Sequence, residues 1–122
     1  MAEQLHHHMI VRQEHLNQYG SLFGGRVLAV IDELAYIACT RTYPGRNFVT
    51  KAVLNAQFEA PAHLGDMLEF GFWVEKVGRT SVQVRVEMMV HPEDGGPQSR
   101  SFDGTVVMVC VDDEGRPTTV ER

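Results

Sequence analysis

Cysteine is scarce in this chain: Cys39 and Cys110 are the only two in 122 residues, and each stands in an apolar surrounding without a Cys-x-x-Cys spacing. That argues against a disulfide framework or a cysteine metal site and for two buried free thiols, hence a reducing compartment. Basic residues are few as well. The 11 Lys and Arg are outnumbered by 16 Asp and Glu, leaving a net charge of −5, and they form no stripe, so nucleic acid is not an expected partner. No apolar run approaches the roughly 18 residues of a membrane span, and the N-terminus has neither the basic start nor the apolar stretch of a signal peptide. The expected address is the cytoplasm, with no membrane partner. Repeats, linkers and low-complexity segments are missing too, which leaves a single domain over residues 1–122, with residues 1–8 expected as a flexible N-terminus. The tract His6, His7, His8 is assigned no metal. His15, His63 and His91 stand alone, without metal-ligand spacing or an evident partner acid, and read as surface or loop residues.

What is present is patterned. Hydrophobic residues make up 43% of the chain, enough for one core. A domain of this size buries only about two-thirds of its unfolded surface, so pairing with a second copy would help. Over residues 25–40, Val27, Leu28, Ile31, Leu34, Ala35 and Ala38 recur at steps of three and four, which predicts a helix. It starts at Gly24-Gly25 and stops before Tyr43-Pro44-Gly45. Segments 47–58, 67–77, 81–90 and 101–111, rich in Val, Phe, Met and Thr, read as strands, and a weak strand over 9–13 joins an edge. Short turn-like connections imply an antiparallel meander. The expected fold is α+β: one long helix wrapped by a sheet of five to six strands.

One carboxylate, Asp32, lies two turns inside this helix, where it has no capping task. It shares a row of the helix with Leu28, at the border of the apolar stripe. An acid there serves as general base or nucleophile if a cleft opens beside it; the alternative is a partly exposed acid paired with Arg26 or Arg41. Glu33 lies about 100° round the helix and reads as solvated or interfacial. Gly24 and Gly25 offer free amides at the positive end of the helix, where an oxyanion could be held, or simply a tight turn. Asn17, on the loop before them, could orient a water or a carbonyl, or only shape the turn. The turn Gly78-Arg79-Thr80-Ser81 brings amides, hydroxyls and a guanidinium suited to phosphate or pantetheine, although, taken alone, a structural turn is the better explanation.

The run Asn-Gln-Tyr-Gly-Ser-Leu-Phe-Gly-Gly-Arg-Val-Leu-Ala-Val-Ile-Asp-Glu-Leu-Ala from Asn17 resembles the hotdog-fold acyl-CoA thioesterases. So do, in order, Asn47-Phe-Val-Thr, Phe58-Glu-Ala-Pro, Gly65-Asp66 and Lys76-Val-Gly-Arg-Thr-Ser. The resemblance implies a helix wrapped by an antiparallel sheet, homodimers joined edge to edge or grouped into tetramers or hexamers, and active sites at the dimer interface. It implies that Asp32 acts on an acyl-CoA thioester as nucleophile or base. The Gly24 amide, with Gly25 beside it, would polarise the carbonyl, and Asn17 would position water or carbonyl. Gly78, Arg79, Thr80 and Ser81 would meet the CoA, which is substrate, so no cofactor is expected. One turn after the acid, where related enzymes often carry Thr or Ser, stands Tyr36, whose bulk would shape the acyl pocket. Rival readings are a non-catalytic acyl-CoA-binding module and a hotdog dehydratase or hydratase. The dehydratase would need its His-containing Pro-Gly segment before the helix; here Pro44-Gly45 follows the helix and no His stands beside it, which argues against that rival.

Overall fold

The computed structural model describes residues 3–121, and the chain folds as one helix against one five-stranded antiparallel sheet. Strand β1 (Leu5–Ile10) leads into a single 3₁₀ turn (Gln13–His15) and helix α1 (Gly24–Thr42). Four strands follow: β2 (Asn47–Phe58), β3 (Met67–Val77), β4 (Ser81–His91) and β5 (Ser99–Val111).

Helix α1 forms because its apolar positions share one face. Val27, Ile31, Leu34, Ala35, Ala38 and Cys39 are buried, while Asp32, Glu33 and Tyr36 stay outside. Strand β4 supplies the matching surface: Val82, Val84, Val86, Met88 and Val90 alternate inward onto the core, and Gln83, Arg85 and Glu87 turn outward. The helix ends where Thr42 Oγ1 and the Tyr43 amide cap the last carbonyls and Gly45, at φ 82°, turns the chain. Both cysteines are buried and free. No helix among the described residues is long and apolar enough to cross a membrane.

The sheet order is β1-β3-β4-β5-β2. Only β3, β4 and β5 form the expected meander; β2 crosses to the far edge and pairs with β5. That crossover lets the sheet curl over both flanks of α1, as a hairpin closed by the eight residues between β2 and β3 would not. β2 carries register shifts between Thr50 and Ala52 and between Leu54 and Gln57, with Asn55 at φ 53° in the second. Gly104 faces that bulge, where a Cβ would sit 3.3 Å from the Ala56 Cα.

The early strand differs from expectation. It covers Leu5–Ile10, not 9–13, so His6, His7 and His8 lie in a strand paired with β3 and not in a flexible end. Backbone pairing holds them there despite their polarity. Residues 1 and 2, also expected to be flexible, lie outside the described residues.

Candidate active site

The start of α1 is built for exposed amides. Its N-cap is Phe23, which has no capping oxygen, and no acid occupies the first turn. The Gly24 and Gly25 amides find no acceptor among the described residues. A Cβ on Gly24 would lie 3.5 Å from the Phe58 ring, so the glycine keeps this approach to the backbone open. Phe58 is braced edge-on by Phe102, with centroids 5.0 Å apart. Asn17 closes its own turn, accepting from the amides of Tyr19 and Ser21 through Oδ1, which leaves the NH₂ of its side chain free to donate. Asn17, Gly24, Phe58 and Met88 line a cavity of about 380 Å³ at the Phe58 end of β2.

Asp32 lies elsewhere. It lines a second cavity, of about 420 Å³, with Tyr36, Phe48, Val49, Thr50 and Met108 near the other end of β2. The expected acid at the edge of the core is exposed in the single chain, as are Leu28 and Tyr36 on the same side of α1. Asp32 forms no ion pair among the described residues, and Arg41 pairs with Glu3 instead. Its partner is Thr50, whose hydroxyl donates to Asp32 Oδ1. Thr50 ends the Asn47-Phe-Val-Thr segment, and the sequence pattern assigns it no role. Strand alternation places Thr50 two residues after Phe48, on the same side of β2, but that this side meets Asp32 comes only from the packing of β2 on α1.

Gly78, Arg79, Thr80 and Ser81 lie apart from both cavities. They form the β3–β4 turn, closed by the Gly78 amide donating to the Ser81 carbonyl, and the carbonyls of Arg79 and Thr80 accept from Val120 and Cys110. Arg79 is exposed and carries no ion pair among the described residues. Ser81 pairs with Val109, one register step from the Met108 that faces Thr50, so the turn is level with Asp32 on the far side of β5.

Of the three isolated histidines, His15 and His91 depart from the reading as surface or loop residues without a partner acid, and His63 keeps its expected exposure. His15 is buried: its Nδ1 accepts from the Arg12 amide, and its carbonyl accepts from Phe23 at the start of α1. His91 has a partner acid, Glu69, at 2.8 Å. His63 is exposed, with Asp66 3.9 Å away. Glu33 is solvent-exposed, as expected.

The geometry of one protomer therefore contains two partial sites. Gly24 and Asp32 are eight positions apart on one helix, about 12 Å along its axis. A nucleophile and the donor to the carbonyl it attacks must meet at one carbon, within roughly 3–3.5 Å. The two cavities of a single chain cannot do this together.

The family model of the Thioesterase superfamily matches residues 19–95. An acyl-CoA thioester hydrolase of Zymomonas mobilis is 30% identical over 112 residues, 92% of this chain and 74% of that protein. An apo-hexameric acyl-CoA thioesterase superposes with a TM-score of 0.87 at 30% identity, covering 95% of this chain and 74% of that one. The acyl-CoA hydrolase of Staphylococcus aureus, solved with butyryl coenzyme A, gives 0.85 at 26%, covering 95% and 70%. That hydrolase is also known as variants with alanine in place of one Asn, one Thr or one Asp. With a matching family model, a relative similar along most of both chains, and the helix-in-sheet hotdog architecture, the chain belongs to the thioesterase superfamily.

Proposed function

We propose that this chain hydrolyses acyl-CoA thioesters to a free acid and CoA, and that each active site is assembled from two protomers. The observation that carries the composite site is the separation of the carbonyl-binding amides from the carboxylate along α1. Strand β2 supports the pairing. Its outer edge has no partner among the described residues, and Val49, Val53, Leu54 and Phe58 on it are exposed, with Leu28 and Tyr36 beside them on α1. A two-fold axis through this edge sets the Phe58 end of one β2 against the Thr50 end of its copy. The Gly24 and Asn17 half of one protomer then meets the Asp32 and Thr50 half of the other. The hexameric neighbour is consistent with such dimers grouping further.

In this reading the thioester carbonyl accepts from the Gly24 amide, with Gly25 beside it, at the positive end of α1. Asp32, oriented by Thr50, attacks the carbonyl carbon or takes a proton from water that does so, and the thiolate of CoA leaves. The side-chain NH₂ of Asn17 holds the water or the carbonyl. That an Asn, an Asp and a Thr were each replaced in the S. aureus hydrolase favours giving these three residue types roles here. Tyr36 walls the Asp32 cavity and limits the acyl group. Arg79, Thr80 and Ser81, with Gly78, receive the phosphate and pantetheine of CoA, Arg79 being a free guanidinium. CoA is substrate, and no cofactor is required. Two buried free thiols suit a reducing compartment, the cytoplasm.

The test is release of free thiol from short, medium, long and aromatic acyl-CoAs. The best substrate should be hydrolysed by the wild type and about 10²- to 10⁴-fold more slowly by Asp32→Asn. Tight acyl-CoA binding with no thiol released by either would replace this reading with the binding-module alternative.

A further inference from the structure

His6, His7 and His8 acquire a setting in the folded chain that their neighbours in sequence do not reveal. Strand alternation turns His7 to the inner face, where its ring lies 5.9 Å from that of Phe70. His6 and His8 turn to the outer face, away from α1, with His8 directly opposite Glu69 of β3 and His6 opposite Gly71. His91, on β4, reaches the same carboxylate from the other side.

Three imidazoles thus surround one carboxylate. His91 Nε2 bonds Glu69 Oε1 at 2.8 Å, which fixes the carboxylate plane. Oε2 then faces His6 Nδ1 at 4.0 Å and His8 Nε2 at 3.7 Å. Those two distances exceed a hydrogen bond. They are close to the roughly 3.4 Å at which a tetrahedral ion with bonds near 2.1 Å holds its donors. Among the described residues no three donors are gathered tightly enough to hold a metal ion as they stand. The two histidine–carboxylate distances exceed that spacing by about 0.3–0.6 Å, a gap that small χ rotations of half-exposed side chains close.

We propose that His6, His8 and Glu69 form a surface site for a divalent first-row metal, zinc foremost, that ties edge strand β1 to β3, with His91 orienting the carboxylate. Two imidazole nitrogens and one carboxylate oxygen suit zinc over magnesium or calcium. The site sits on the face of the sheet opposite α1, so its effect is on the edge strand and not on the thioester chemistry. His91 plays the outer partner that fixes a ligand's orientation.

Isothermal titration of zinc into the chelator-stripped full chain tests this. One zinc per chain should bind, and Glu69→Gln and His8→Ala should each weaken binding by about tenfold or more, His91→Ala by about 10- to 100-fold. His7→Ala, which alters the tract but not the site, should stay within about twofold of wild type. Zinc should also raise the melting temperature of the wild type but not of Glu69→Gln, with circular dichroism confirming that each variant folds. Absence of binding would overturn the proposal. So would a His7→Ala loss equal to that of His8→Ala, or unchanged affinity in Glu69→Gln, since both describe chelation by a loose histidine tract.

Discussion

Thr50 gives Asp32 its hydrogen bond, and a carboxylate that must meet a carbonyl carbon at a fixed angle depends on being held. Thr50→Val keeps the shape and removes the donor. Its kcat should fall by roughly 10- to 100-fold with KM little changed, while Thr50→Ser restores most of it, as steady-state thiol release will show. A second residue, Cys39, tests the core. Burial, with Cys110 adding to it, pushes the Cys39 thiol from 9.0 up to about 12. Folding therefore favours the protonated thiol. Because the folded value is the higher one, this contribution is complete below the ordinary thiol pKa and is lost as pH rises from there toward the folded value. Urea midpoints of the wild type should drop between about pH 9 and 11, and those of Cys39→Ala should drop less. A reagent such as Ellman's should leave Cys39 unmodified in the folded chain at pH 8. At this scale the candidate acid, glycines and Asn were legible because their types and spacing carry chemistry. Thr50 was not, because its role comes from a contact across 18 positions that only the packing of β2 on α1 creates.

Helix α1 carries both Gly24 and Asp32, the residues on which the proposed composite site turns. Ile31, fully buried beside Asp32, anchors it to the sheet. Ile31→Ala should destabilise the fold by about 2–5 kcal/mol, measured by urea unfolding, through lost burial and the cavity left behind. This helix could be read from sequence within a residue or two at each end, since a stripe at steps of three and four has few other solutions, and β2 and β3 took their expected bounds. Strand β1 could not. Its histidines lack the apolar alternation that marks a strand, and it is held by main-chain pairing to β3, which no local pattern reports. The position of β2 was equally hidden: sequential strands usually neighbour one another, and only the need to cover both flanks of α1 sends it to the far edge. The exposure of Asp32 follows from the same cause. Helix periodicity places it at the border of the stripe, but whether a border position is covered depends on which flank the sheet reaches.

For the whole molecule, the proposed dimer covers the exposed apolar side formed by β2 and α1, and joining the two partial sites would be the functional reason for covering it. A lone protomer has amides without a carboxylate at one end of β2 and a carboxylate without amides at the other. In the proposed two-fold dimer, pairing would complete two sites at once. The most direct measurement is subunit complementation between Asp32→Asn and Asn17→Ala chains, each of which should be nearly inactive alone. Mixed by co-refolding, half the dimers should be heterodimers, each with one intact site, so acyl-CoA hydrolysis should return to about a quarter of the wild-type rate. If the mixture forms heterodimers and remains as inactive as its parents, the two halves belong to one chain and the composite site is wrong.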